Sequence, residues 1–380
     1  MKLLLIISSL GSGGAERVAS SLANGWADAG HVVTILTLSN APSFYTLHPR
    51  VCREVSGESG LFRKATDVLD ATGANLRRLI VVRRAIKRLR PDVIVSFMDR
   101  MNVLSILSNL GTGVPIIVCE HTDTKQLSIG RLWSALRLLT YPLASAVTFL
   151  TENVLRRWAR GLNGKAILMP NPVLLNDDQG SLPVGALGHK HNLIAIGRLA
   201  DEKSFDKLLR AFASIAGRKS EWGLTILGEG DKRQELENLR AELGLEGRVH
   251  FPGRVSNPFI WLRRADLFVM SSRFEGLPCA LCEAMGCGLP AISFDCDSGP
   301  RDIIRDGVDG LLVPPRDVPA LSRAMDRLMS DDDERARFAA RAPEVMDRYN
   351  LKSIMLRWDK LFERVRPARE RNIRVHECAE

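Results

Sequence analysis

Short apolar runs alternate with longer segments of helical periodicity along most of the chain. The apolar runs predict buried strands near 3–7, 32–38, 93–97, 116–119 and 146–150, and a second set near 193–196, 224–227, 249–251, 267–270 and 291–294. Strands that alternate with helices form parallel sheets with helices on both faces. Because the pattern restarts near residue 190, the sequence predicts two doubly wound α/β domains.

A polar, glycine-containing stretch at 176–189 separates the two sets of strands, and it is typical of an interdomain linker. We therefore expect a first domain at 1–175 and a second at 190–349. The total of 380 residues is also more than one ordinary hydrophobic core organises. An amphipathic pattern at about 350–366 predicts one further helix.

Two glutamates eight positions apart, Glu275 and Glu283, flank a Gly/Pro turn and open a small-residue apolar helix. A helix N-terminus presents free N–H groups and partial positive charge, which favours phosphate. The backbone N–H groups of Gly276 and Leu277 can face the same phosphate or a sugar. This spacing favours a nucleotide-sugar, with its diphosphate at the helix, its ribose at Glu283 and its sugar at Glu275.

The segment resembles a signature of the family 4 glycosyltransferases, in which seven residues separate two glutamates. These are retaining enzymes of the GT-B fold. Further resemblance lies, in the family's order, at 11–17, 120–121, 169–173, 197–203, 228–230 and 307–314. It implies two Rossmann-like domains that face each other across a cleft. The first would bind the acceptor and the second the donor nucleotide-sugar, while the helix at about 350–366 packs back on the first.

The resemblance assigns the donor diphosphate to two glycines, Gly13 and Gly14, and to two cations, Arg198 and Lys203. Glycines allow a close approach of the backbone to a ligand. Two cations beside a helix start suit a diphosphate, on which negative charge builds during glycosyl transfer. The residue after Lys203 is a serine where the family usually has glycine, a departure that leaves the predicted role of the lysine intact.

His121, at the end of a predicted strand, matches the family histidine that contacts the transferred sugar. We expect it to orient that sugar by hydrogen bonding rather than to act as a base. Glu120 and Asp123 flank it and could tune or orient the imidazole. Asp99 and Asn102, which follow the strand at 93–97, could touch the acceptor.

Net charge is +9, and residues 1–180 hold 21 Lys and Arg against 13 Asp and Glu. Seven of these cations lie at 77–90, where Leu76, Leu79, Ile80, Ile86 and Leu89 are expected on the opposite side of a basic helix. This basic helix is interpreted either as a solvated face or as a surface that binds anionic lipid or nucleic acid. Of the two ligands, lipid is favoured, because the rest of the chain points to sugar chemistry. No nucleic-acid-binding module is present.

Cysteine spacing and acidic residues argue against disulfides and metals. Seven scattered cysteines show no disulfide framework, and the Cys279/Cys282 pair is expected in a core. Asp295 and Asp297 have the letters of a metal-binding Asp-x-Asp motif, but they follow the last predicted strand of the second set. We therefore expect no obligatory cofactor or metal.

The sequence thus predicts a retaining transferase that moves a hexose or N-acetylhexosamine from a UDP-sugar to a saccharide acceptor. The acceptor is expected to be linked to undecaprenyl diphosphate, in surface polysaccharide or glycan synthesis. Two alternatives are a nucleotide-sugar epimerase of the same fold and a non-enzymatic basic protein that binds membrane or nucleic acid. A cytoplasmic location is expected, with peripheral attachment to the inner face of the membrane as an option, since no apolar run is long enough to span a bilayer.

Overall fold

Two parallel β-sheets organise the chain. The computed structural model describes residues 1–11, 13–55, 68–121, 129–176, 180–182 and 188–366. The chain divides into one unit at Met1–Pro172 and Leu351–Glu380 and a second at Val173–Asn350. The predicted fold class, two parallel-sheet α/β domains, is confirmed. Of the expected linker at 176–189, residues 177–179 and 183–187 lie outside the described residues.

In the first unit, the described residues form a seven-stranded parallel sheet of order β3-β2-β1-β4-β5-β6-β7. Its strands are β1 (Lys2–Ile7), β2 (Val32–Thr37), β3 (Val51–Val55), β4 (Val93–Phe97), β5 (Ile116–Glu120), β6 (Ala146–Phe149) and β7 (Ala166–Leu168). Its first helices are α1 (Gly14–Asp28), α2 (Val68–Leu89), α3 (Asp99–Asn109), α4 (Arg131–Thr140) and α5 (Glu152–Ala159). Alternate residues of β1 enter two different cores: Leu3 and Leu5 pack beneath α1, while Leu4 and Ile6 pack beneath α2, α3 and α5.

In the second unit, the described part of the chain builds a six-stranded parallel sheet of order β10-β9-β8-β11-β12-β13. Its strands are β8 (His191–Ile196), β9 (Trp222–Leu227), β10 (Val249–Gly253), β11 (Leu267–Met270), β12 (Ala291–Phe294) and β13 (Gly310–Val313). Its helices are α6 (Phe205–Ala216), α7 (Arg233–Glu242), α8 (Pro258–Leu262), α9 (Cys279–Gly286), α10 (Pro300–Ile303), α11 (Val318–Ser330), α12 (Asp332–Arg341) and α13 (Val345–Tyr349). Of the two cysteines expected in a core, Cys282 is fully buried, whereas Cys279, the first residue of α9, is only half-buried.

The final helix, α14 (Leu351–Val365), belongs to the first unit and closes one of its cores. Trp358 meets the ring of Trp26 edge-on at 5.3 Å between centroids, and Phe362 lies 5.4 Å from the same ring. All three side chains are buried. The helix therefore shares a hydrophobic core with α1, although more than 300 residues separate Trp26 and Trp358.

The basic helix predicted at 77–90 is present as part of α2, but its apolar face differs from the prediction. Val82 and Ile86 are buried against the sheet. Leu76 and Ile80, which were expected on the packed side, are instead 58% and 43% exposed. Among the described ranges, no helix combines the length and the apolar character needed to cross a membrane.

Replacing Trp358 with alanine is expected to destabilise the first unit by about 3–5 kcal/mol, the usual cost of removing a buried aromatic side chain. Urea unfolding followed by circular dichroism measures this change. Leu356→Ala is the matched control, because that side chain of the same helix is 56% exposed. Equal stability of the two variants would show that α14 is not part of the core.

Candidate active site

The centre of the second sheet is the point at which the strand order reverses. Strands β8 and β11 are neighbours there, with β9 and β10 on one side and β12 and β13 on the other. Ligands of open parallel sheets bind beyond the strand carboxyl ends at such a switch point. The loop after β8 carries Arg198 and Lys203, and the loop after β11 carries Glu275.

Main-chain and hydroxyl contacts join these two loops. The Ser271 Oγ donates to the Lys203 carbonyl oxygen at 2.8 Å. The Arg273 N–H donates to the Glu202 carbonyl oxygen at 2.7 Å. These contacts hold the lysine and the glutamate in one place although 72 positions separate them in sequence.

An ion pair at the switch point connects Lys203 and Glu275. The lysine Nζ donates to the Glu275 Oε1 at 2.6 Å, and the Ser272 Oγ donates to the same oxygen at 2.6 Å. The two charged side chains are only 21% and 11% exposed. Because charge-assisted hydrogen bonds of this kind are strong, a ligand that enters here must offer an anion to the lysine and a donor to the carboxylate.

The turn after Glu275 presents two free N–H groups. Within the described residues, the backbone N–H groups of Gly276 and Leu277 have no hydrogen-bond partner. They precede the N-terminus of α9, and Glu283, 5% exposed, lies in the second turn of that helix. The predicted phosphate-binding groups and both predicted glutamates therefore lie on one turn–helix segment.

A second loop supports this turn from behind. The Ser298 Oγ donates to the Glu275 carbonyl oxygen. At Gly299 the backbone has φ +100°, and a Cβ would lie 2.5 Å from the Pro278 Cδ. Glycine is required here both by the dihedral angle and by the close approach. The turn is thus held in one conformation before any ligand binds.

The loop that carries Arg198 is also fixed by glycines. A Cβ at Gly228 would lie 1.9 Å from the Gly197 carbonyl oxygen, so the loop after β9 packs directly on the loop after β8. Arg198 itself is exposed and donates from Nε to the Glu202 Oε1 at 3.2 Å, an interaction that raises its pKa. Arg198 and Lys203 therefore contact different carboxylates.

In the first unit, the switch point lies between β1 and β4, and the glycine loop follows β1. Gly13 precedes the first residue of α1, and Gly14 begins it. A Cβ at Gly13 would lie 2.2 Å from the Glu16 Oε2, whereas Gly14 is exposed with nothing within 4 Å of its Cβ position. Backbone at Gly14 is therefore accessible to a ligand.

His121 follows β5 and is half-buried, with its ring centroid 5.4 Å from that of Phe97. It lines a small cavity together with Thr148, Met169 and Asn171. Burial lowers the pKa of His121 to about 4. The imidazole is therefore neutral near pH 7, where it offers one hydrogen-bond donor and one acceptor.

Of the two carboxylates expected to tune this imidazole, Asp123 lies outside the described residues. Glu120 does not tune it, because consecutive strand residues point to opposite faces of the sheet. Its side chain enters the other core, where it accepts from the Tyr141 hydroxyl at 2.8 Å and from the Arg137 Nη1 at 3.5 Å. The Asn102 Nδ2 donates to Tyr141 Oη at 3.2 Å. Asn102 is fully buried, so the expected acceptor contact at this residue is wrong.

Sequence reasoning missed the roles of Arg137 and Tyr141 in this network. No pattern in the chain relates them to Glu120, since they lie on α4 and on the 3-10 turn that follows it. The only signal in the sequence is that Glu120 ends a buried strand, because a buried glutamate needs hydrogen-bond partners. The network anchors α4 to the end of β5.

The imidazole of His121 is expected to titrate near pH 4, because burial disfavours its charged form. Nitrogen-15 NMR of histidine-labelled protein measures this midpoint, and His121→Gln identifies the signal by its disappearance. As the unfolded imidazole takes up a proton at about pH 6.5, His121 should also lower the stability of the fold as the pH falls from that value towards 4. A midpoint at or above 6.5 would contradict the burial described here.

Comparison with known proteins supplies the family context. A model of the glycosyl transferases group 1 matches residues 185–345, and a model of glycosyltransferase family 4 matches residues 12–176. The chain is 31% identical, over 97% of its length and all of the relative, to the GalNAc-alpha-(1->4)-GalNAc-alpha-(1->3)-diNAcBac-PP-undecaprenol alpha-1,4-N-acetyl-D-galactosaminyltransferase of Campylobacter jejuni. It is 27% identical, over 95% of its length and 99% of the relative, to the amylovoran biosynthesis glycosyltransferase AmsD of Erwinia amylovora.

Solved structures share the fold. HepE of Anabaena, in complex with UDP and glucose, superposes with a TM-score of 0.79 at 18% identity, over 96% of this chain and 99% of that one. The lipopolysaccharide outer core galactosyltransferase WaaB, in its apo form, gives a TM-score of 0.74 at 19% identity, over 94% and 98% of the two chains. At these identities the similarity establishes the fold alone.

Proposed function

This chain belongs to the family 4 glycosyltransferases, and we propose that it transfers a hexose or N-acetylhexosamine from a UDP-sugar to a lipid-linked saccharide. The transfer retains the configuration of the anomeric carbon. The acceptor is a saccharide on undecaprenyl diphosphate, and the product enters surface polysaccharide or glycan synthesis.

The observation that carries this proposal is the arrangement at the switch point of the second sheet. Lys203 and the free N–H groups of Gly276 and Leu277 offer positive charge and donors to a diphosphate. Glu275, on the same turn, offers a carboxylate to sugar hydroxyls. Glu283, buried one helix turn further along, suits the paired hydroxyls of a ribose.

The chemistry follows from where charge develops. The bond between the anomeric carbon and the β-phosphate oxygen breaks, and UDP leaves with the negative charge. Arg198, Lys203 and the N-terminus of α9 stabilise that charge. The acceptor hydroxyl attacks the same face of the sugar and gives its proton to the leaving phosphate. This front-side course retains configuration, and for His121 we retain the predicted role of orienting the transferred sugar.

The choice of donor and acceptor draws support from similar proteins. HepE has been solved with UDP and glucose, which favours a uridine diphosphate donor. The Campylobacter relative is named for an acceptor on undecaprenol, and AmsD for amylovoran biosynthesis. A lipid-linked acceptor places the enzyme at the cytoplasmic membrane face, and the cations of α2 suit an anionic surface there.

We expect acceptor-dependent UDP release from a panel of UDP-sugars with saccharides on short-chain polyprenyl diphosphates. Glu283→Ala should reduce kcat/KM at least about 100-fold, because a buried carboxylate that positions the donor is lost. Glu246→Ala is the matched control, since that glutamate of the same unit is exposed. Excess EDTA should leave the rate unchanged if no metal is obligatory.

Proton NMR of the product then determines the stereochemistry, and retention predicts the anomeric configuration of the donor. Inversion would contradict the front-side course. Isomerised UDP-sugar formed without any acceptor would indicate the epimerase alternative. Neither release nor UDP binding for any donor would contradict the transferase proposal and favour a non-enzymatic binding protein.

A further inference from the structure

Helix α4 exposes a stripe of leucines to solvent. Leu132, Leu138 and Leu139 are 70%, 62% and 71% exposed, and Leu143, just beyond the helix, is 56% exposed. Ala135 is exposed on the same side. At 100° per residue, positions 132, 135 and 139 lie within one narrow stripe of the helix surface. An ordinary surface helix shows the opposite arrangement, with polar residues towards solvent.

The inward side of the same helix carries polar side chains beside the partly buried Trp133 and Leu136. Arg137 is 5% exposed, and its guanidinium lies over the Trp158 ring at 5.2 Å and contacts Glu120. Thr140 is buried and donates from Oγ1 to the Leu136 carbonyl oxygen at 2.8 Å. These contacts fix the rotation of α4, so the leucines are held outward by a buried polar network.

Cations lie at both ends of the leucine stripe. Arg131 is exposed at the start of α4, and the Arg100 guanidinium lies over the Trp133 ring at 5.6 Å. At the other end, the Lys165 Nζ donates to the Pro142 carbonyl oxygen at 2.7 Å. The segment 129–151 contains no Asp or Glu. This combination of leucines and flanking cations complements an anionic lipid surface.

Helix α2 extends the same surface. Helices α2 and α4 both pack on α3, on the sheet face away from α1 and α14. The outward side of α2 carries Leu76 and Ile80 together with Arg77 and Arg84, which are exposed. Exposed apolar and basic side chains thus continue from α4 across the helix layer to α2.

We propose that α4 docks this chain on anionic membrane: Leu132, Leu138, Leu139 and Leu143 enter the interface, while Arg100, Arg131 and Lys165 contact lipid phosphates. The occupant is the bilayer surface rather than a second protein, because cations at both ends of a leucine stripe, in a segment at 129–151 without Asp or Glu, match anionic lipid headgroups. This surface extends the proposed function, since it would bring the enzyme to a lipid-linked acceptor.

Vesicle flotation without any sugar substrate tests the surface. Wild type should bind vesicles that contain phosphatidylglycerol and bind phosphatidylcholine vesicles weakly. Leu132→Gln with Leu139→Gln should weaken binding to the anionic vesicles at least about tenfold, because apolar area leaves the interface. Arg131→Gln with Lys165→Gln should weaken the same binding and reduce its sensitivity to salt.

Leu356→Gln is the matched control, an exposed leucine on the helix of the opposite sheet face. Because the leucines and Arg131 are exposed and Lys165 is only half-buried, thermal melting should change little in any variant. Equal binding by wild type and the double leucine variant would overturn the proposal. Failure of wild type to bind anionic vesicles, with a dimer in solution that the leucine variant abolishes, would assign the stripe to a protein interface and also overturn it.

An assay of transfer to a water-soluble saccharide acceptor tests the proposed function independently of the docking surface. The double leucine variant should retain that transfer while it loses vesicle binding. Vesicle binding that depends on the leucines, in a protein without transferase activity, would support the docking surface and contradict the proposed function.

Discussion

The ion pair of Lys203 and Glu275 joins the two halves of the second sheet at the point where its strand order reverses. The topology makes this contact possible, because β8 and β11 are neighbours although β9 and β10 lie between them in sequence. Around this pair, Ser271 links the loop after β11 to the Lys203 carbonyl oxygen, Ser272 donates to the Glu275 carboxylate, and Ser298 supports the Glu275 carbonyl oxygen from the loop after β12. The turn that presents free N–H groups at the start of α9 is therefore built before a donor binds.

The first unit also has a point at which its strand order reverses, but different residues lie there. Its glycine loop follows one strand of the switch point, and His121 lies one strand further along the sheet. Burial keeps the imidazole neutral, which suits hydrogen bonding to a sugar better than proton transfer near pH 7. Behind the strand that ends at Glu120, the Glu120–Arg137–Tyr141 network fixes α4 with its leucines outward. Two adjacent residues thus contribute to two different surfaces.

Much of this fold could be predicted from the sequence, because central parallel strands are continuous apolar runs bounded by glycine or helix starts. The predicted strand at 93–97 and the helix near 14–29 agree with β4 and α1 to within a residue. Three strands, β3, β7 and β13, were not predicted. Each lies at the edge of its sheet, where β3 and β7 are only partly buried and the apolar signal is weak.

The candidate site was predictable to the extent that its residues follow strands. Lys203, Glu275 and Glu283 were singled out by turn chemistry and spacing, and the structure places the first two in direct contact. Asn102 was misassigned because a strand end does not reveal which side of the chain is buried. The outward leucines of α4 were missed for the opposite reason. Leucines of a surface helix are expected to pack inward, and only the buried partners of Arg137 show that Leu132, Leu138 and Leu139 face solvent.

Calorimetric binding of UDP and of uridine to wild type and Lys203→Met tests the central claim most directly, with Lys207→Met, four residues further along in α6, as the matched control. If Lys203 exchanges its carboxylate partner for the donor diphosphate, Lys203→Met should bind UDP about 10–100-fold more weakly and bind uridine as wild type does. Lys207→Met should bind both like wild type. Unchanged UDP affinity in Lys203→Met would contradict the assignment of the diphosphate to this switch point.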